Sequence, residues 1–334
     1  MNAQAVTVVI PVHNGASTLA RVIEPLKSEL LQGDAILAVD DRSTDGSTDL
    51  LRDLGVEVLT ADGRPGAAGT RNKGGFAAAT PWILFVDSDA VAPRGWRRKL
   101  AERMSDASAV QGVYHSKAPG NGAATFYKNY YYFHTFTRRI RSTFIKGCGT
   151  FFFAVRTHDF RRLGGFDENI SGATIEDADF SERLWASGGR TILAPEIQVY
   201  HLREYTAGDF FRYEWNMMRA KALYLLRRDR DRGAPSVSVA GVGEMLPVLA
   251  GALFAWVLIT GAALSLAGIF PGIPLLLGGL AGLAVCQIPF IYHCIRDGGF
   301  RGVRACLYLL PDLALVVPSV LFSMGSYAAG RKYL

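Results

Sequence analysis

Two stretches near the C-terminal end of this 334-residue chain are almost free of charge, and they constrain the fold more than any other feature. From Met245 to Ile295 there is no Asp, Glu, Lys or Arg, and from Ala305 to Gly330 the only charged residue is Asp312. Because roughly 20 apolar residues are enough for a helix to cross a bilayer, runs of this length are not ordinary core helices. They predict an α-helical membrane domain.

The first of these stretches is too long for one membrane span. It is interrupted at 268–274 by a cluster of Gly and Pro residues, which are typical of a turn between two helices. Together with the last stretch, this predicts about three transmembrane helices within residues 244–330. Pro311 and Pro318 leave open whether the last segment is kinked or re-entrant.

The distribution of basic residues predicts how the chain is oriented. Net charge is +6, and a basic cluster precedes the first span, formed by Arg219, Lys221, Arg227, Arg228, Arg230 and Arg232. Such a cluster is typical of the cytoplasmic side of a membrane helix, and this explanation is simpler than a nucleic-acid partner. The prediction is a multi-pass protein of the inner (plasma) membrane with its N-terminal part in the cytoplasm. No signal peptide is expected before Val6.

The loop after the second span agrees with this orientation, because it carries Arg296, Arg301 and Arg304. The basic pair Arg331–Lys332 would lie outside, against the rule. The four cysteines show no paired metal spacing and are expected to be reduced packing thiols.

The N-terminal half alternates between apolar strand patterns and helical patterns. Strands are predicted at Val6–Pro11, Ala35–Val39, Val56–Leu59 and Trp82–Val86, with helical spacing between them, and further strands follow as far as His201. This alternation is typical of a doubly wound α/β sheet, in which the loops that bind ligands gather at one edge. The predicted domain covers residues 1–203.

Two carboxylates follow the buried strand that ends at Val86. Asp87 and Asp89 are two residues apart, so that both would point to the same face at the ligand-binding edge of the sheet. Oxygen ligands of this kind suit Mg²⁺ or Mn²⁺, which keeps positions open for the oxygens of a diphosphate. The alternative is a solvated turn in which an Asp caps the next helix.

Polar residues at other strand ends also suit a nucleotide. Asp41 could accept a hydrogen bond from a ring N–H of a base, or it could cap a helix. Arg71, in a Gly-rich loop predicted to lead into an Ala-rich helix, could bind a phosphate in a bidentate manner, or it could simply be solvated. The coincidence of such residues at successive strand ends favours the nucleotide hypothesis.

Four segments in this order carry a family resemblance: VVIPVHNG, VDDRSTDGST, AAGTRNKGG and FVDSDAVAP. They resemble the nucleotide-binding half of the family-two inverting glycosyltransferases of the GT-A fold, a mixed α/β sheet, and the similarity covers roughly residues 5–230. The resemblance implies that a nucleotide-sugar site includes Pro11, His13, Asn14, Asp40, Asp41, Arg71, Asp87 and Ser88. It also implies that Asp89 coordinates the metal with Asp87 beside it. His13 departs from the aromatic residue often found at its position.

Two further segments, Gly164–Glu168 and Ile175–Phe180, resemble the acceptor side of that family. In Ile175–Phe180, Asp177 follows the acidic Glu176 at the start of a helix. Glycosyl transfer to a hydroxyl with inversion needs a carboxylate that takes the proton, and we expect Asp177, with Glu176 beside it, to do this. The alternative is that both acids only favour a helix N-terminus. A further predicted strand ends at His201. In several branches of the family a His at the end of this strand joins the metal or the diphosphate, so His201 is a third metal candidate.

Two segments indicate contact with a membrane. Residues 127–136 are rich in Tyr and Phe and are followed by arginines, which suits an interfacial helix or, alternatively, a core helix. Residues 204–232 are predicted to form an amphipathic juxtamembrane helix and a basic linker.

The combined prediction is a metal-dependent, membrane-bound inverting glycosyltransferase. It would transfer a sugar from a nucleotide-diphosphate sugar to a hydroxyl of a lipid or lipid-linked acceptor at the cytoplasmic face. The main alternative is a polyprenyl-phosphate glycosyltransferase, whose acceptor is already an anion and needs no base. A transporter with a nucleotide-binding domain is disfavoured because few polar residues lie in the spans. A processive polymer synthase is disfavoured because the sequence has no Gln-x-x-Arg-Trp segment.

Overall fold

A computed structural model describes residues 4–63, 65–170, 175–231 and 242–330 of the chain, excluding the side chains of 227–231 and 242–245. The predicted basic residues Arg232, Arg331 and Lys332 therefore lie outside the described residues, as do the side chains of Arg227, Arg228 and Arg230. The chain forms two units. The first consists of Met1–Ala118 and Thr135–Arg203, and the second of Pro119–His134 and Glu204–Leu334. The sequence had assigned 119–134 to the N-terminal domain.

A mixed sheet of nine strands forms the centre of the first unit. The strands are β1 (Val6–Val12), β2 (Ala35–Asp40), β3 (Glu57–Thr60), β4 (Trp82–Val86), β5 (Ala90–Val91), β6 (Ala109–Tyr114), β7 (Phe144–Ile145), β8 (Phe152–Arg156) and β9 (Thr191–His201). Their order is β3-β2-β1-β4-β8-β6-β9-β5, with β7 also paired to β9. The first four strands are parallel, whereas β8 runs antiparallel to both neighbours. The predicted mixed α/β sheet is confirmed.

Helices cover both faces of this sheet, and other helices form the second unit. The helices are α1 (Ala16–Lys27), α2 (Ser47–Asp53), α3 (Ala67–Ala77), α4 (Trp96–Met104), α5 (Ala123–His134), α6 (Thr157–Arg162), α7 (Glu176–Ala186), α8 (Ala207–Asp231), α9 (Val242–Leu266), α10 (Gly272–Gly298), α11 (Phe300–Cys306) and α12 (Leu309–Ala328). One core packs α1, α2 and α4 against the sheet, and a second core packs α3, α6 and α7 against the other face. The central strands are buried on both faces, as their continuous Val, Ile and Phe runs require.

The start of α3 differs from the prediction. The sequence placed Arg71 in a Gly-rich loop ahead of an Ala-rich helix, and this was wrong, because Arg71 lies inside α3. A Cβ on Gly74 would lie only 2.4 Å from Val9 Cγ1, and a Cβ on Gly75 only 2.5 Å from the Phe160 ring. Close packing of the helix on its neighbours therefore outweighs the low helix propensity of glycine.

Among the described residues of the second unit, three helical segments are long and apolar enough to cross a membrane: Leu246–Leu266, Gly272–Gly298 and Phe300–Ala328. The predicted count of about three spans is confirmed on length and composition. Glycines allow α9 and α10 to pack closely, since a Cβ on Gly279 would lie 2.5 Å from the Leu258 nitrogen. The last segment is interrupted between α11 and α12, a break that the sequence had left open.

Helix α5 is a core helix of the second unit. Tyr127 and Tyr130 are buried, and their hydroxyls donate hydrogen bonds to Asp312 (2.8 Å) and Asp297 (2.7 Å). Lys128 is also buried and forms an ion pair with Glu214. The core interpretation of the aromatic segment therefore holds for α5.

Three polar side chains of the spans contact other residues of the second unit. Asp312 accepts from Tyr127, Gln287 Nε2 donates to the Pro247 carbonyl oxygen (2.8 Å), and His293 lies 3.4 Å from His134. These groups connect helices to one another, as expected for structural ties inside a membrane domain. The four cysteines are free thiols, as expected.

Candidate functional site

The turn after β4 brings Asp89 next to His201. Strand β5 follows the Asp87–Asp89 turn at once and pairs antiparallel with β9, so that Ala90 lies opposite His201. The Leu202 N–H donates to the Asp89 carbonyl oxygen (2.8 Å). As a result, His201 Nε2 lies 3.4 Å from Asp89 Oδ2. Two of the three predicted metal ligands are therefore neighbours, although 112 positions (89 to 201) separate them in the sequence.

Charge and stacking define the surroundings of this pair. Burial alone would raise the pKa of Asp89, but the hydrogen bond and charge of His201, with the charge of Arg203, lower it overall. The His201 ring stacks on Tyr114, with centroids 4.8 Å apart and planes at 19°. Tyr114 in turn stacks on Phe151, at 4.0 Å. The sequence did not point to Tyr114, because only the pairing of β6 with β9 places it there.

The donor set at this turn fits one divalent ion. A carboxylate and an imidazole that are already close leave most of a coordination shell open, which suits an ion that also binds diphosphate oxygens. Within the described parts of the chain, no three His, Cys, Asp or Glu side chains are already arranged around a metal position. Stacking on Tyr114 orients the ring of His201, whose buried Nδ1 makes no hydrogen bond to a described residue.

Asp87, the third predicted ligand, points instead to Arg71. The Arg71 guanidinium donates to Asp87 Oδ1 and to Glu176 Oε1, both at 2.8 Å. Arg71 is 3% exposed and Glu176 is 2% exposed, so this connection lies inside the protein. Burial alone would lower the pKa of Arg71, but the charges of Asp87 and Glu176 raise it above its ordinary value. Arg71 therefore holds two carboxylates rather than standing in solvent.

Helix α7 begins with the two acceptor-side carboxylates. Glu176 is buried against Arg71, whereas Asp177 is partly exposed. Asp177 Oδ1 accepts from the Ala178 N–H (2.7 Å), and its carbonyl oxygen accepts from the Cys148 thiol (3.4 Å). Burial, and then the negative charge of Asp177, raises the pKa of Cys148 well above its usual range. Of the two predicted catalytic residues, only Asp177 is open to solvent.

The loops after β1 and β2 are fastened to each other. His13 Nδ1 lies 2.7 Å from the Asp41 carbonyl oxygen, and Asn14 Oδ1 accepts from the Thr44 N–H (2.8 Å). Asn14 adopts a positive φ of 53°, which Asn tolerates better than most residues. The Gly15 N–H donates to Ser47 Oγ at 2.8 Å. These hydrogen bonds hold the loops after β1 and β2 together, so that both loops contribute to one polar rim at the edge of the sheet.

The other predicted nucleotide residues lie along the same sheet edge or beside it. Asp41 Oδ2 accepts from the Gly66 N–H (2.8 Å), and its Oδ1 accepts from Arg42 (2.9 Å). Asp40 is buried and accepts from the Ser43 N–H at 3.3 Å. Pro11 pairs with Val39 inside the sheet, and the Ser88 carbonyl oxygen accepts from Thr18 Oγ1 at 2.7 Å.

Asn72 is a structural residue of the site that the sequence did not single out. Its Nδ2 donates to the Phe166 carbonyl oxygen (2.9 Å), and its Oδ1 accepts from the Phe166 N–H (2.8 Å). It also donates to Glu168 (2.8 Å). The sequence signal that could have identified Asn72 was its position directly after Arg71. The Arg71–Asn72 pair thus joins α3 to both the loop before α7 and the start of α7 itself.

Comparisons with known proteins show which proteins this chain resembles. The profile described as Glycosyl transferase family 2 matches residues 7–164. A relative from Mycobacterium tuberculosis, named "Pre-mycofactocin glycosyltransferase", is 28% identical over 269 residues, which cover 76% of this chain and 52% of that protein. "Glycosyltransferase GlyG" of Streptococcus pneumoniae is 30% identical over 131 residues, which cover 37% of this chain and 44% of that protein. The chain thus spans about half the length of these relatives.

A solved structure shares the fold. It is the structure of the mannosyltransferase PcManGT from Pyrobaculum calidifontis in complex with GDP-Man and Mn2+. The TM-score is 0.63 at 19% identity, covering 95% of this chain and 86% of that one. Residues 7–164 therefore form a glycosyl transferase family 2 domain, within a chain that has the GT-A fold and, after it in the sequence, three helices that could span a membrane.

Proposed function

We propose that this protein is an inverting glycosyltransferase that uses a nucleotide-diphosphate sugar. The acceptor is a hydroxyl of a lipid or lipid-linked molecule at the cytoplasmic face of the inner membrane. The observation that carries the proposal is the bridge from Arg71 to both Asp87 and Glu176. The bridge joins Asp87, at the strand end on the donor side, to the start of α7, which presents Asp177.

The donor would lie along the edge where β1, β2 and β4 end. The hydrogen bonds between the first two loops fix the rim around His13, Asn14 and Asp41 before any ligand arrives. A rim that is already ordered loses less conformational entropy when it binds a nucleotide. Asp41 would accept from the base, provided that the ligand displaces its contact with the exposed Arg42.

A divalent cation would be held by Asp89 and His201, with Mg²⁺ and Mn²⁺ both suited to the donor set. When bound, the ion offsets the negative charge on the leaving diphosphate. Asp87 forms an ion pair with Arg71 and lies within the same turn as Asp89. We therefore assign Asp87 to holding the turn and Asp89 to the ion.

The acceptor side depends on Asp177. A hydroxyl is a poor nucleophile at neutral pH, and a carboxylate that takes its proton helps the oxygen to attack the anomeric carbon as the diphosphate leaves. Asp177 is the carboxylate of the α7 start that solvent can reach, whereas Glu176 is buried in an ion pair. Arg71 and Glu176 are thus positioning residues, and Asp177 is the proposed base.

The experiment that tests this function uses the purified full chain with a panel of nucleotide sugars and lipid acceptors, following nucleotide release. Asp177→Asn is nearly isosteric and should retain nucleotide-sugar binding while turnover falls on the order of a hundredfold. A lipid phosphate is already ionised and needs no base. Near wild-type turnover of Asp177→Asn with polyprenyl phosphate would therefore reject the hydroxyl acceptor and support a polyprenyl-phosphate glycosyltransferase.

A further inference from the structure

A group of exposed and half-exposed residues at the edge of the first unit is not used by the proposed chemistry. It lies around the short strand β7, and we name it the β7 edge patch. Its members are Arg141, Phe144, Lys146, Trp185 and Arg190. They come from two separate parts of the sequence, 141–146 and 185–190, and combine basic with aromatic side chains.

Backbone pairing holds this patch together. Phe144 lies opposite Ile192, and Ile145 lies opposite Thr191, so that β7 is fixed against the start of β9. The Leu193 N–H donates to the Thr143 carbonyl oxygen at 2.9 Å. The turn before β7 is ordered by Ser142, whose hydroxyl donates to the Phe144 carbonyl oxygen at 2.6 Å. The patch is therefore a defined surface.

An aromatic ring on this edge is exposed to solvent. Phe144 is 42% exposed, although it belongs to a sheet edge, where exposed apolar side chains invite unwanted pairing. Arg141 precedes it and Lys146 follows it. Exposed large apolar side chains flanked by cations are typical of a surface that contacts a membrane or a partner protein.

Two cations lie against the second aromatic residue. Lys146 Nζ lies 5.2 Å from the centroid of the Trp185 ring, and Arg190 Cζ lies 4.3 Å from the same centroid. In the portion of the chain that the structure describes, none of Arg141, Lys146 and Arg190 forms an ion pair with a carboxylate. The positive charge of the patch is therefore not neutralised by described carboxylates.

We propose that the β7 edge patch binds the anionic phospholipid surface of a bilayer. Trp rings favour the headgroup level, and Lys and Arg are attracted to anionic lipid by an interaction that falls off within a Debye length. The same chain has three candidate membrane spans, which is consistent with a bilayer as the binding partner. The proposal does not depend on which sugar or acceptor the site uses.

The test uses the full chain in nanodiscs made of phosphatidylcholine alone or mixed with phosphatidylglycerol. A lipid with a nitroxide on its headgroup serves as quencher, and the emission of Trp185 is taken as the difference between wild type and Trp185→Phe. Quenching of Trp185 should increase with phosphatidylglycerol and decrease with salt. In Lys146→Gln/Arg190→Gln, the part that depends on phosphatidylglycerol should fall roughly tenfold.

The matched control removes two exposed cations from α1 and α2, on the opposite face of the sheet, as Arg21→Gln/Arg52→Gln. It should quench like wild type. Equal quenching in neutral and anionic nanodiscs, or unchanged quenching in Lys146→Gln/Arg190→Gln, would overturn the proposal. It would also fail if polyphosphate shifted Trp185 emission in detergent as strongly as lipid does, since the patch would then recognise a soluble polyanion.

Discussion

Arg71 donates a hydrogen bond to Glu176 at 2.8 Å, although the two residues lie 105 positions apart in the sequence. The same guanidinium reaches Asp87 at 2.8 Å. One buried cation thus fixes both the turn that carries Asp89 and the helix start that carries Asp177. Buried charges of this kind persist only when they are paired, so this triad should respond strongly to the loss of one member.

The first prediction concerns the stability of this triad. Arg71→Met should lower the free energy of unfolding by roughly 3–5 kcal/mol, because it leaves Glu176 buried without a counter-charge. Unfolding of the detergent-solubilised chain by heat or denaturant measures the change. The control is Arg52→Met, which removes an exposed pair with Asp49 and should cost at most about 1 kcal/mol.

A double variant distinguishes lost pairing from lost packing. Arg71→Met combined with Glu176→Gln removes the unpaired charge and should recover part of the stability. If Arg71→Met alone were as stable as wild type, the bridge would contribute nothing to the fold, and the assignment of Arg71 as a positioning residue would have to be abandoned.

The second prediction concerns the divalent ion. Asp89→Ala should abolish the part of nucleotide-sugar affinity that depends on Mn²⁺ while leaving the fold intact, because a side chain at a strand end contributes little packing. Calorimetry in Mn²⁺ and in chelator provides the measurement. Asp62→Ala, an exposed carboxylate on another loop, serves as the control and should bind normally. Equal affinity of Asp89→Ala and wild type in Mn²⁺ would contradict the metal assignment.

The third prediction concerns the reactivity of Cys148. Its pKa is raised first by burial and then by the charge of Asp177, so the reactive thiolate is scarcer at neutral pH than for an exposed cysteine. Alkylation of Cys148 in the native protein should therefore be very slow at pH 7 and should accelerate only as pH rises. Mass spectrometry after timed iodoacetamide treatment follows the reaction.

The comparison for this experiment is a cysteine placed on the exposed surface by Ser105→Cys, which should react at an ordinary rate. Full exposure of Cys148 in denaturant should remove the difference. Rapid labelling of Cys148 in the folded protein would show that solvent reaches the region behind Asp177.

The fourth prediction concerns membrane topology. The turn between the first two spans should lie outside the cell, because basic residues flank the hairpin and none lies in the turn. Phe270 is 86% exposed and accepts a reporter, whereas a side chain on Gly272 would lie 2.4 Å from the Ser265 nitrogen. Phe270→Cys should therefore react with an impermeant thiol reagent added to intact cells. Phe300→Cys, at the start of the third span, should react only after lysis.

The sequence by itself determined the features that depend on local composition. Continuous Val, Ile and Phe runs predicted the strands of the sheet, and charge-free stretches predicted three spans, because burial and bilayer thickness act on consecutive residues. The position of Asp87 and Asp89 at a strand end followed from the same local pattern.

Only the tertiary structure decided which of these residues meet. The pairing of β5 with β9 brought His201 to Asp89, and the packing of α3 against the sheet turned Arg71 towards Glu176. Helix α5 joined the second unit although its neighbours in sequence belong to the first. These outcomes rest on contacts between residues far apart in the chain. Their energies depend on neighbours that no local pattern specifies, so the sequence could propose candidate residues for the site but could not specify their partners.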